Sequence, residues 1–106
     1  MATYIVEVQD FYGTNKFQIG GVPQQLIDAG SGEEVVFDQS HTSNTGHPLR
    51  IGLHPDGTHL AGVSEYTTGV TVSGTPGQAG AKTTFIVSDT SLHGTYFYYC
   101  KNHSGM

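Results

Sequence analysis

Tryptophan is absent from this 106-residue chain, cysteine occurs once, and lysine and arginine together number four. A single thiol excludes an intrachain disulfide and leaves that thiol free, ligated, or buried and inert. Four cationic side chains against nine acidic ones give a net charge of −5. A nucleic-acid binder needs a basic face to neutralise phosphates, so that class is excluded. No apolar run approaches the roughly 18 residues needed to cross a bilayer. Met1-Ala2-Thr3-Tyr4 leads directly into a strand pattern, so no secretory signal is expected. There is no helix-period stretch of useful length, no internal repeat and no low-complexity tail.

What remains is glycine, threonine, valine and tyrosine. Fifteen glycines and only 12% charged residues describe short strands joined by tight turns. The length suits one domain over residues 1–106. Apolar and β-branched runs at residues 4–9, 17–19, 33–37, 49–53, 70–73, 82–87 and 95–100 predict about seven strands. Leu49, Ile51 and Leu53 alternate with Arg50 and Gly52, the period of a half-buried strand. The expected fold is all-β, a Greek-key antiparallel β-sandwich. A short helical turn is expected near residues 64–67, and His54-Pro55-Asp56-Gly57 has turn chemistry.

Leu92-His93-Gly94-Thr95-Tyr96 has the composition of a tyrosine corner, in which a tyrosine near the start of a late strand bonds back to the backbone. Strand alternation then places Tyr96, Tyr98 and Cys100 on the inner face, with Phe97 and Tyr99 on the outer one.

The last residues carry the chemistry. Cys100 alone would read as a small buried hydrophobe. His103 and Met106 follow it at steps of three, so one loop can bend a thiolate, an imidazole and a thioether around a single centre. That donor set selects copper, with methionine as the long axial ligand. Zinc would recruit a second cysteine or a carboxylate instead. A second histidine must come from elsewhere, and His47 is the best placed of the six, between a polar loop and the strand beginning at Leu49. His41 reads as a solvent-exposed loop residue, His54 and His59 as flanks of a solvated turn, and His93 as a loop residue.

The Cys-x-x-His-x-x-Met loop follows a Gly-Thr-Tyr-x-x-Tyr strand, with an upstream Gly-x-x-Val-x-Phe strand and a Gly-His loop. Over residues 27–106 this pattern resembles the cupredoxins, with a ligand-loop spacing similar to that of amicyanin and shorter than that of plastocyanins. It is also similar to cupredoxin-like domains in proteins of marine phages and bacteria. The resemblance implies His47 and His103 as imidazole ligands, Cys100 as thiolate and Met106 as axial thioether to one copper per chain. It also implies one-electron transfer between Cu(II) and Cu(I) with a redox partner protein, and no enzymatic activity of the domain alone. A monomeric domain in a periplasmic, extracellular or virion-associated setting would follow. Electrons would enter at the exposed edge of His103 beside Pro48 and Gly105, with Tyr99 as a second route.

Two features depart from the family pattern. Pro48 follows the first histidine and has no N–H to offer the cysteine sulfur, so a lowered reduction potential is expected. Asn44 or Ser43 could instead tie the His47 loop to the Cys100 loop. The sequence also ends at Met106, so weak or variable binding of that residue is expected unless another strand, such as residues 17–19, closes the sheet beside residues 95–100. Two other functions compete with electron transfer: a structural or adhesion module of a larger protein, and copper storage or delivery using His41, His54 or His59.

Overall fold

The computed structural model describes all residues except 1, 28, 31 and 88–95. Among the described residues, eight strands build a six-stranded sheet and a two-stranded one, packed as a sandwich. Strand β1 (Ala2–Phe11) is the hinge of the design. Its second half pairs antiparallel with β2 (Thr14–Ile19) from Val6 opposite Ile19 to Phe11 opposite Thr14. Tyr12 and Gly13 close this hairpin with φ of 54° and 87°, the two positive values that a tight primed turn requires. The first half of β1 pairs parallel with β4 (Glu34–Asp38).

From there the large sheet extends through β7 (Lys82–Ile86) to β6 (Val70–Ser73), both antiparallel, while β2 leads outward to β3 (Val22–Pro23). The sheet is therefore mixed, and the expectation of a purely antiparallel sandwich is corrected at the β1–β4 pair. A parallel pair needs a long crossover connection. Here β2 and β3 are that crossover, which the strand pattern alone could not distinguish from a simple meander.

The second layer is β5 (Leu49–Gly52) paired with β8 (Phe97–Cys100), Leu49 opposite Cys100 and Gly52 opposite Phe97. Aromatic rings join the layers. Tyr98 of β8 lies 5.5 Å from Phe37 of β4 and 6.3 Å from Phe17 of β2, ring centre to ring centre. Its hydroxyl donates to the Gln25 carbonyl at 2.8 Å, and burial pushes its pKa up to about 12. Val6, Phe17, Leu49 and Cys100 lie at the fully buried centre.

Residues 64–67 do not form the expected helical turn. That segment has no regular secondary structure, with the Tyr66 N–H donating to the Ile51 carbonyl at 2.8 Å, and the short 3-10 turns fall at Thr42–Asn44 and Gly57–His59 instead. Residues 17–19 do not close the sheet beside β8, because β2 is taken by β1 and β3. Of the expected tyrosine corner, residues 92–95 lie outside the described residues. The Tyr96 ring packs inward against Phe85 and Tyr66, at 5.0 and 5.1 Å.

Candidate metal centre

The β5–β8 register builds the site. With Leu49 opposite Cys100, the start of one strand and the end of the other lie side by side at one end of the sandwich. His47 precedes Leu49 by two positions and His103 follows Cys100 by three, so both imidazoles arrive at that end. Cys100 Sγ lies 3.7 Å from His47 Nδ1 and 3.5 Å from His103 Nδ1. The two rings are 4.7 Å apart between centres, tilted by 44°. The three donor atoms lie within 4.8 Å of one another, the only such grouping of histidine, cysteine and carboxylate donors among the described residues.

These separations fit one shared ion. Typical metal–nitrogen and metal–sulfur bonds of about 2.0 and about 2.3 Å, opened to about 110–120°, place nitrogen and sulfur roughly 3.5–3.7 Å apart. Cys100 is fully buried, His47 half-buried and His103 exposed, so the centre is dry beneath and open at one edge. Met106 is 4% exposed and belongs to the same buried cluster as Cys100, Leu49 and Phe17.

Ser104 and Gly105, just before Met106, are held from three sides. Asp56 accepts the Gly105 N–H at 2.8 Å and the Ser104 hydroxyl at 2.5 Å. The Lys16 ammonium donates to the Gly105 carbonyl, joined by the Gln24 side chain at 3.5 Å. These side chains come from β2, from just after β3 and from the turn after β5. Nothing in the local sequence marks Lys16 or Asp56, because their partners lie 89 and 49 positions away.

The His47 loop is fixed differently from expectation. Ser43 Oγ accepts the Val8 N–H at 2.9 Å, and Asn44 donates to the Val6 carbonyl at 2.7 Å, so both residues tie the loop to β1 and not to the Cys100 loop. The cross-link to the Cys100 loop comes from Asn102, whose amide donates to the Gly46 carbonyl at 3.2 Å, and from the Lys101 N–H to the Pro48 carbonyl at 3.0 Å. The sulfur has backbone donors despite Pro48. The N–H groups of Asn102 and His103 act on the thiol in the direction that favours its ionised form.

Burial raises the Cys100 thiol pKa, with those two N–H groups and the Arg50 charge drawing it partly back. Burial lowers that of His47, and the neighbouring His103 lowers it further, which favours the neutral, ligating imidazole. Tyr99 is not the outward residue that alternation predicts. It is 1% exposed, because the turn at Gly57 folds over its ring. It therefore offers no exposed electron route.

His59 stands edge-on to Tyr99 with ring centres 6.1 Å apart, and its Nε2 lies 2.7 Å from the Cys100 carbonyl oxygen. It supports the strand that carries Cys100, a contact that its position in a polar turn concealed. His54 Nδ1 accepts the Asp56 N–H at 3.2 Å, and His41 lies 3.1 Å from Glu7 and 2.8 Å from Ser43. His93 lies outside the described residues. Comparison with family models, curated proteins and solved structures gave no match.

Proposed function

We propose that this domain is a mononuclear copper protein of the type 1 kind, carrying single electrons as its ion cycles between Cu(II) and Cu(I). The observation that carries the reading is the donor triangle of His47 Nδ1, His103 Nδ1 and Cys100 Sγ, with sides that suit one shared ion. Two imidazoles and one sulfur donor, with Met106 in the same buried cluster as Cys100, are a donor set that copper prefers over zinc. The resemblance of the ligand loop to cupredoxins supports the same choice.

Copper would supply the one-electron couple, and the chain's own part is to keep its donors in place. Cys100 is fixed by the β5 ladder, His47 by the loop tied to β1, and the Met106 end by Asp56 and Lys16. Donors held so firmly tolerate both oxidation states with little rearrangement, which is what rapid transfer needs. The exposed edge of His103 is the natural contact for a redox partner protein, and the net acidity would steer a basic one. No helix among the described residues is long and apolar enough to cross a membrane.

Copper storage has less support, since His41, His54 and His59 are engaged separately and form no second donor grouping among the described residues. The test is titration of the metal-free protein with Cu(II). An intense visible thiolate-to-copper band that saturates at one ion per chain is expected, and its absence would remove the reading.

A further inference from the structure

Gln39, the residue after β4, is 2% exposed, and nothing in the sequence draws attention to it. Its main chain is locked, with its N–H donating to the Ala81 carbonyl at 2.9 Å and its carbonyl accepting the Gly77 N–H at 2.8 Å. Its side chain reaches the loop that carries His47. Nε2 donates to the His47 carbonyl at 2.7 Å and to Asn44 Oδ1 at 3.1 Å, while Oε1 accepts the Leu49 N–H at 2.9 Å.

The amide orientation is unambiguous, because the His47 carbonyl can only accept and the Leu49 N–H can only donate. Pro48 contributes no N–H, so these are the backbone groups on either side of it, and one carboxamide clamps both. Asn44 extends the network to the Val6 carbonyl, giving a continuous buried chain from β1 to the histidine.

We propose that Gln39 is a positioning residue for the metal centre, setting where His47 Nδ1 stands relative to Cys100 Sγ. The proposal rests on the copper reading for its consequence, though the clamp itself exists without metal. Outer partners that orient a ligand commonly alter metal affinity about 10- to 100-fold when removed. Loss of the clamp frees the His47 carbonyl and lets Pro48 shift, so the histidine is no longer presented at one fixed distance from the sulfur.

The test compares Gln39→Met, which keeps the length and removes the hydrogen bonds, with Thr83→Val as a control. Thr83 is equally buried and donates to the Leu49 carbonyl at 3.0 Å, so its loss weakens the same strand without touching His47. Gln39→Asn, shorter by one methylene and unable to span both backbone groups, serves if the methionine variant does not fold. Two readouts are taken: Cu(II) affinity with the visible and paramagnetic resonance spectra, and the ring resonances of His47 and His103 in metal-free protein.

Expected in the Gln39 variants are at least tenfold weaker copper binding, an altered thiolate-to-copper band, and shifted or broadened His47 resonances with those of His103 unchanged. Thr83→Val should weaken binding less than about threefold and leave the histidine resonances in place. Matching behaviour of the Gln39 and Thr83 variants in the metal-free spectra overturns the proposal. If the parent protein gives no thiolate-to-copper band, the copper reading fails, and the metal-free resonances still decide the clamp.

Discussion

Replacing Gly57 with alanine tests how the strand that carries Cys100 is held. Gly57 sits in the turn after β5 with φ of +51°, and a Cβ there would lie 2.4 Å from two ring atoms of Tyr99. The ring cannot retreat, since Tyr99 is 1% exposed and also packs beneath Gly52, where a Cβ would meet it at 3.2 Å. A left-handed backbone at a non-glycine residue costs about 1–2 kcal/mol. Forcing a methyl into a filled core costs about 1–3 kcal/mol more.

Gly57→Ala should therefore destabilise the metal-free protein by roughly 2–5 kcal/mol, a large share of the ~5–15 kcal/mol typical of a domain. At about 4–8 °C per kcal/mol, the midpoint of thermal unfolding should fall by at least about 8 °C. Urea denaturation followed by circular dichroism gives the value directly, with Gly62→Ala as a reference. Gly62 has a similar positive φ of +84° but open space around it, so it isolates the backbone strain from the ring clash. Equal losses at the two glycines would refute the claim that Tyr99 is pinned by the Gly57 turn.

Asp56→Ala should cost about 1–2 kcal/mol at neutral pH through loss of the Gly105 and Ser104 hydrogen bonds, toward the lower end because the carboxylate is partly exposed. The Gly105 N–H and then the Ser104 hydroxyl hold the Asp56 pKa below its ordinary 3.8, so the stabilisation is present above that value and is lost as pH falls through the lowered one. Denaturation at pH 7 and at successively lower pH should show the difference between parent and variant shrinking as pH falls below 3.8, and a difference that does not shrink would contradict it. Met106→Leu conserves volume in the buried cluster, so the metal-free protein should lose less than about 1.5 kcal/mol. The copper-loaded spectra should nevertheless change, and identical absorption and resonance spectra would show that Met106 does not ligate.

The candidate metal loop stood out in the sequence because its residues are close together, and the spacing of Cys100, His103 and Met106 is a local signal. His47 could be singled out because it adjoins a strand with clear alternation. Gln39, Lys16, Asp56 and His59 carried no such signal. Each is an ordinary polar residue whose role depends on a partner elsewhere in the chain, such as Gly105 for Lys16 or Cys100 for His59. Alternation along β8 placed Tyr98 and Cys100 correctly in the core. It misplaced Tyr99, since the turn that covers the outer face is set by Gly52 and Gly57 and not by the strand itself. The strand inventory was similarly close, while the parallel β1–β4 pair was invisible because pairing direction leaves no trace in a residue pattern.

The central claim is that His47, Cys100 and His103 hold one copper ion through a thiolate bond. It is tested most directly by adding Cu(II) to metal-free protein and to Cys100→Ser and recording the visible spectrum of each. The account predicts an intense charge-transfer band in the parent, saturating at one copper per chain, bleached by a reductant and restored on reoxidation, with no such band in Cys100→Ser. A parent protein that binds no copper, or one whose copper spectrum is unchanged when the thiol is removed, would contradict it.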